Sequence, residues 1–201
     1  MTRILEIGPG TVDGNSTVFP EALTVDSVAR PEGGPQYNVN CFVAEWGQVQ
    51  LPFGNNTFDL VFASHVLEHV PWYRVPSALE EVHRILKPGG EFEVYVPDFD
   101  YILECYVNGY TDDKWRVFNP TGDLMTWVNG RIFSYGQDAT ELKSNHRPIA
   151  QTHHKSVFND AYLTSLLRGA GFNYVAELKA RRNGKKHSIR EVKLLAKKKK
   201  D

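Results

Sequence analysis

Short runs of apolar residues, separated by polar and glycine-rich stretches, recur along this chain and predict the strands of a β-sheet. The run at 58–63 is almost continuously apolar, which is typical of a central strand covered on both faces. Two runs near the end flank Asn183-Gly184 and predict an antiparallel hairpin. The predicted strands are 4–7, 22–25, 38–43, 58–63, 92–96, 174–180 and 189–196.

Apolar residues at helical spacing lie between several of these runs. In 77–86 they form one face of a helix, and Pro88-Gly89-Gly90 suits its end. A second helix is predicted at 101–107 and a third through 167. The predicted caps of the third helix are Asn159 or Asp160 at its start and Gly171 at its end.

The alternation of strands with crossovers favours an α/β, Rossmann-like fold. We expect a mostly parallel, seven-stranded sheet that closes with the C-terminal antiparallel hairpin, in a single domain spanning 1–201. The stretch 99–155 mixes aromatic and polar residues without a strand pattern, and it predicts a helical or irregular cap.

The composition favours a globular protein and gives no sign of a membrane or disulfide-rich protein. A chain of 201 residues with 41% apolar residues can bury a real core. A net charge of −1 gives no reason to expect nucleic-acid or membrane binding, and we interpret Lys197 to Lys200 as a solvated tail. Two cysteines are too few for a disulfide framework. With no apolar run of transmembrane length and no signal peptide, these features predict a cytoplasmic protein.

Glycines and polar residues follow the predicted strands directly. A lone Gly-x-Gly is as often a tight turn as a ligand loop, so the turn at 8–10 alone decides little. Ligands of open α/β sheets bind beyond the carboxyl ends of the strands, so the convergence of several such features favours a binding site there. The features are Gly8-Pro9-Gly10, Asp26, Glu45-Trp46, Ser64-His65 and Pro97-Asp98.

The order of these motifs resembles that of the class I methyltransferases that use S-adenosylmethionine (SAM). The resemblance covers 3–98 and is closest to a methyltransferase type 11-like, compact subgroup associated with glycan or small-molecule biosynthesis. Only about twenty residues separate Glu6 from Asp26, which leaves no room for the usual long helix. The matching stretches are 5–10, Asp26, 51–53 with 58–59, 63–70 and 81–90.

The resemblance implies SAM as cofactor and assigns it a set of residues. Asp26 would accept both ribose hydroxyls, although a turn or cap aspartate is the alternative. Glu45 would bind the adenine amino group with Trp46 beside the ring, the alternatives being an exposed loop glutamate and a core tryptophan. The remaining implied cofactor residues are Gly8 and Gly10 against the ligand, Glu6 organising the glycine loop, and Ser64 and His65 at the methionine end.

The acceptor side is expected to hold a general base, because a histidine of near-neutral pKa can deprotonate a hydroxyl or amine as the methyl group transfers. The alternatives are a structural histidine at a helix start for His69, and surface or loop packing for His153 and His154. No short spacing of metal ligands occurs among the histidines, so we expect no metal site. The candidates are His69, Asp98, His146, His153 and His154.

Several functions remain open at this point. The main expectation is O- or N-methylation of a small-molecule or glycan-precursor acceptor. The alternative is a methyltransferase-fold SAM-binding or scaffold protein without catalysis, because missing flank helices leave surface that a partner, including a second copy in a homodimer, could cover. A nicotinamide enzyme is disfavoured, since Asp13 occupies the third glycine position of its motif. Methylation of nucleic acid is disfavoured because its amino-group and Pro-Cys motifs are absent from the sequence.

Overall fold

A computed structural model describes residues 2–9, 19, 21–25, 46–110, 122–133, 153–180 and 190–200. In these residues six strands form one sheet in the order β2-β1-β3-β4-β6-β5. The first four strands are mutually parallel, and β6 pairs antiparallel with both β4 and β5. The strands are β1 (Ile4–Ile7), β2 (Leu23–Val25), β3 (Phe58–Ser64), β4 (Leu86–Pro97), β5 (Tyr174–Glu177) and β6 (Glu191–Lys197).

This topology confirms the α/β, Rossmann-like fold with its closing antiparallel hairpin. The seventh strand, predicted at 38–43, lies outside the described residues. Four helices accompany the sheet in the described part of the chain, and none of them is long and apolar enough to span a membrane. They are α1 (Val75–Ile85), α2 (Phe99–Asn108), α3 (Leu124–Phe133) and α4 (Asp160–Gly169).

The largest core lies on the face of the sheet covered by α1 and α4. Alternate residues of β4, such as Val94 and Val96, point into it, as do Leu79 and Leu163 from the two helices. Intervening residues of the strands are buried on the other face, where Phe62 meets Tyr95 edge-on with ring centroids 5.4 Å apart. The central strands are therefore covered on both faces, as the continuous apolar run of β3 predicts.

The start of β4 differs from the prediction. Helix α1 ends at Ile85, and Leu86 already has extended backbone angles, so Pro88-Gly89-Gly90 lies inside the strand instead of terminating the helix. Gly89 has φ +76°, and a Cβ on Gly90 would lie 2.9 Å from the Lys87 carbonyl oxygen. The pairing of β3 with β4 shifts register over the same stretch. The two glycines thus form an irregular strand entry.

Helix α2 begins where Asp98 caps it, its side chain accepting a hydrogen bond from the Asp100 N–H at 3.0 Å. Helices α2 and α3 share a small core of their own, built around Ile102, Cys105 and Trp127. This confirms the helix expected at 101–107. The wider cap at 99–155 remains a prediction, since much of it lies outside the described residues.

The lysines at the end of the chain are not simply a solvated tail. Lys197 belongs to β6 and pairs with Glu91 at 2.6 Å. The Lys198 ammonium donates to the Leu86 carbonyl oxygen at 2.9 Å, at the C-terminus of α1. The prediction failed because sequence composition cannot show which carbonyl groups lie within reach of a lysine.

Candidate functional site

The glycine turn after β1 is packed too closely to accept a side chain. Gly8 has φ +64°, and a Cβ there would lie 2.4 Å from Val66 Cγ2. Its N–H donates to the Val25 carbonyl oxygen at 2.7 Å. Gly8 therefore lets the ends of β1, β2 and β3 meet at the carboxyl edge of the sheet.

Glu6 lies on β1 just before this turn and is only 2% exposed. Its carboxylate accepts a hydrogen bond from the Phe19 N–H at 3.5 Å, so it holds chain that follows the glycine turn. The role expected of Glu6 in organising the glycine loop remains a prediction.

Ser64 and His65 follow at the end of β3, one strand away from the glycine turn. His65 has φ +54°, an uncommon backbone conformation for a residue with a side chain, and its N–H donates to the Tyr95 carbonyl oxygen at 2.9 Å. This conformation aims the ring at two carboxylates. Nε2 lies 2.5 Å from Glu191 Oε1, and Nδ1 lies 3.3 Å from Glu68 Oε1.

The charge state of His65 follows from these neighbours. Burial by itself would lower the pKa of the His65 ring, but the carboxylates of Glu191 and Glu68 outweigh it and raise that pKa to about 9. The ring is therefore an imidazolium at neutral pH, which makes it a fixed positive charge rather than a base.

Glu68 is the buried acid of the site. It is 1% exposed and lies in the short 3-10 helix Leu67–His69. Burial would raise the pKa of its carboxyl, but His65, with the rings of His69 and His154, outweighs burial and lowers that pKa. Sequence analysis missed this residue. Its signal was an acid placed between two histidines, His65 and His69, in an otherwise apolar stretch.

His69 and His154 come together beside Glu68. Their ring centroids are 5.1 Å apart, and each of the three residues offers a ligand atom within 4.8 Å of the others. Burial lowers the pKa of the His154 ring, with the nearby Glu68 opposing the shift. Residues separated by 85 positions along the chain thus meet at one edge of the sheet.

The other two acceptor candidates have structural partners, while His146 lies outside the described residues. The His153 carbonyl oxygen lies 3.2 Å from His69 Nδ1, so the contribution of His153 here is made by its backbone. Asp98 caps α2 and lies 3.2 Å from Arg190 Nε, while burial raises the pKa of its carboxyl. These contacts account for both residues without an acceptor, and any catalytic role for them remains a prediction.

With this geometry in view, comparison with known proteins identifies the family. Residues 2–177 match the model of the Methyltransf_23 family, described as a methyltransferase domain. The chain belongs to this methyltransferase-domain family. The match runs from β1 through β5. It therefore includes Glu6, Gly8, His65 and Glu68, but not Glu191 on β6.

Curated relatives of this methyltransferase-domain protein match it over shorter segments. The demethylmenaquinone methyltransferase of Staphylococcus epidermidis is 31% identical over 98 residues, which are 46% of this chain and 40% of that protein. The mitochondrial arginine-hydroxylase NDUFAF5 of Homo sapiens is 40% identical over 81 residues, 39% of this chain and 23% of that protein. The match thus spans less than half of the length of either relative.

Solved methyltransferase structures share the fold over nearly the whole chain. The 1,6-didemethyltoxoflavin-N1-methyltransferase of Burkholderia thailandensis is 17% identical, with a TM-score of 0.54 over 98% of this chain and 72% of that one. A SAM-dependent methyltransferase from Methanosarcina mazei is 22% identical, with a TM-score of 0.55 over 99% of this chain and 93% of that one. At these identities the likeness establishes the fold alone.

Four of the cofactor residues expected in this methyltransferase-domain protein keep roles that are predictions. Gly10, Asp26 and Glu45 lie outside the described residues, so their roles remain predictions. Trp46 is 1% exposed and packs in the main core, which is the alternative that the sequence left open. A contact between Trp46 and adenine stays a prediction.

Proposed function

We propose that this methyltransferase-domain protein transfers the methyl group of SAM to an oxygen or nitrogen of a small-molecule or glycan-precursor acceptor, within the compact, type 11-like subgroup. The observation that carries the proposal is the Gly8 turn packed against Val66, at the strand edge where the family model matches. The ends of β1, β2 and β3 meet there, and ligands of open α/β sheets bind beyond the carboxyl ends of the strands.

The residues around this turn fit a ligand with an amino-acid end. Glu6 provides a buried carboxylate just before the turn, which suits an ammonium group. Ser64 and His65 lie at the neighbouring strand end, where the methionine end of the cofactor is expected. SAM supplies a methyl group activated by its sulfonium charge, so these residues need only bind, orient and desolvate it.

A small-molecule acceptor is supported by what the relatives are named for. Demethylmenaquinone and 1,6-didemethyltoxoflavin are both small organic molecules. In this chain the acceptor would lie beside His69, His154 and Asp98, past the end of β3 and β4. A net charge of −1 gives nucleic acid no general attraction. A cytoplasmic location completes the proposal, which leaves both a monomer and a homodimer open.

Calorimetric titration with S-adenosylhomocysteine tests the cofactor. Wild type should bind at one site, and Asp26→Ala should lose at least about tenfold in affinity, because a charge-assisted contact contributes about 1.5–3 kcal/mol. Asp59→Ala is the matched control, since Asp59 lies on β3 near the opposite edge of the sheet and pairs with Lys87 at 2.8 Å. Absence of binding by the wild type would overturn the proposal.

A second candidate is a methyltransferase-fold protein that binds SAM or a partner without methyl transfer. The observation that favours it is the 40% identity to a segment of a protein named as an arginine-hydroxylase. Incubation with methyl-labelled SAM and pooled small-molecule extracts separates the two. Labelled product made by the isolated chain would support the methyltransferase. Binding of S-adenosylhomocysteine without any product would favour the second candidate.

A further inference from the structure

We propose that Glu68, His69 and His154 bind a divalent transition-metal ion. The proposal goes beyond methyl transfer and does not depend on it. It also replaces the expectation, drawn from sequence spacing, that the chain has no metal site. That expectation considered histidines close in sequence, whereas these ligands come from a 3-10 helix and a segment 85 positions later.

The buried carboxylate of Glu68 is the first observation behind this proposal. It is 1% exposed, and neither of its oxygens has a hydrogen-bond partner among the described residues. Burying an ionised carboxylate without hydrogen bonds costs several kcal/mol, so such a group normally has a partner of opposite charge.

His65 cannot fully supply that partner. Its Nδ1 lies 3.3 Å from Glu68 Oε1 without hydrogen-bond alignment, while its Nε2 makes the shorter, 2.5 Å contact with Glu191. The ring therefore lies closer to Glu191 than to Glu68. A bound cation would balance the charge that remains on Glu68.

The two histidines present nitrogens suited to a metal. The His69 Nδ1–H donates to the His153 carbonyl oxygen at 3.2 Å, which leaves the lone pair on Nε2. Metal-bound histidines usually have their other ring nitrogen held by a carbonyl or carboxylate in this way. His154 lies against the His69 ring, with centroids 5.1 Å apart, so both rings face the same small volume.

Backbone hydrogen bonds fix the two ligand-bearing segments to each other. The Glu68 carbonyl oxygen accepts from the N–H groups of Lys155 and Ser156, at 2.7 and 3.1 Å. The Ser156 hydroxyl donates to the Val70 carbonyl oxygen at 2.5 Å. The ligand atoms already lie within 4.8 Å of one another. A tetrahedral ion with bonds of about 2.0–2.1 Å holds its ligands about 3.4 Å apart, a closure that side-chain rotation can provide.

The donor set selects the class of ion. Imidazole nitrogens suit zinc, iron, cobalt and nickel, whereas magnesium and calcium prefer all-oxygen sites. Three protein ligands leave at least one coordination position for water or an acceptor heteroatom. The donor set thus points to a site with an open coordination position, and with the ion bound neither histidine serves as a base.

Cobalt(II) titration of the metal-stripped protein, followed by displacement with zinc(II), tests the site. We expect one ion per chain, visible d–d absorption, and a zinc-dependent rise in melting temperature. His154→Ala and His69→Ala should each lower the affinity at least about 100-fold, because even a lost supporting residue costs 10–100-fold. Glu68→Gln keeps the side-chain shape and should also lose affinity.

His153→Ala is the matched control. The His153 ring is not part of the cluster, and the substitution retains the His153 carbonyl group. It should bind cobalt as the wild type does, and circular dichroism should show each variant folded before titration. Weak binding of several ions, binding unchanged in the folded ligand variants, or equal loss in His153→Ala would overturn the proposal. None of these readouts uses methyl transfer, so failure here is distinct from failure of the proposed function.

Discussion

At Gly8 both the backbone conformation and the packing require a residue without a Cβ. Its φ of +64° disfavours any residue with a Cβ, and the Val66 side chain occupies the place that a Cβ would take. Gly109, which ends α2, has nearly the same φ of +68°, but a Cβ added there would meet nothing within 4 Å. A comparison of Gly8 with Gly109 therefore separates the conformational cost of adding a Cβ from its packing cost.

Replacing Gly8 with alanine should therefore destabilise the fold more than the same change at Gly109. We expect Gly109→Ala to cost about 1–2 kcal/mol from its left-handed backbone alone. Gly8→Ala should cost about 1–3 kcal/mol beyond that from the clash with Val66. Urea denaturation gives both free energies of unfolding. Equal losses at the two positions would show that the turn relaxes without a clash.

The contrast between Gly8 and Glu68 shows what sequence can predict about a site. Gly8 could be identified because a glycine directly after a strand has a local cause, a turn that tolerates no side chain. Glu68 has a local signal, since it lies between His65 and His69, but that signal does not reveal its contact with His154, a residue 86 positions away in sequence. Contacts made by chain folding leave no local pattern.

At the scale of elements, α4 is a helix whose start and end were both predictable. The Asn159 side chain accepts from the Tyr162 N–H at 2.9 Å, and Gly171, with φ +100°, follows the helix. Leu163 and Leu167 then anchor one face of the helix in the main core. Helix signals of this kind depend on residues that are close in sequence, so they can be recognised from the sequence alone.

Removing the cap of α4 should weaken the whole fold by a measurable amount. We expect Asn159→Ala to lower the free energy of unfolding by about 1 kcal/mol, since the Tyr162 N–H loses its partner. Asn159→Ser retains an acceptor oxygen without placing a second carboxylate beside Asp100, to which the Asn159 amide donates at 3.1 Å, and it should lie within a few tenths of wild type. Thermal melts followed by circular dichroism can compare them. A serine variant as unstable as the alanine variant would contradict a capping role.

The entry into β4 shows where element prediction failed. Proline and glycine after a helical pattern usually mark a helix end followed by a loop, yet here the strand starts at once at Leu86. The N–H of Gly89 bonds to carbonyl oxygens of Lys198 and Lys199, from the end of the chain. A distant segment supplies the pairing that makes this stretch a strand, which is why local signals pointed elsewhere.

Across the whole molecule, the end of the chain closes onto its middle through Lys198. Its ammonium donates to the carbonyl oxygens of His83 and Leu86, at 3.0 and 2.9 Å, and to Asn56 Oδ1 at 2.8 Å. Two of these oxygens lie at the C-terminus of α1, where a positive charge is favourable. The same charge affects His83: burial lowers the pKa of that ring, and Lys198 lowers it further.

Lys198→Met should therefore change two observables together. Loss of the helix-end contacts should lower the free energy of unfolding by about 1–2 kcal/mol. The pKa of His83, followed by NMR, should rise while staying below its ordinary value, because burial remains. Since the folded pKa is depressed, wild type loses stability as the pH falls through about 6.5 toward that pKa, and the variant should lose less over this range.

Lys199→Met is the control for this comparison, because Lys199 is exposed and its backbone carbonyl is unchanged by the substitution. It should match wild type in both stability and the pKa of His83. Lys198→Met could instead weaken the fold and leave the pKa of His83 unchanged. That result would show that the Lys198 ammonium does not lie at the end of α1 beside His83. If both lysine variants behaved alike, the effect would come from net charge, and the closure of the chain end onto α1 would be wrong.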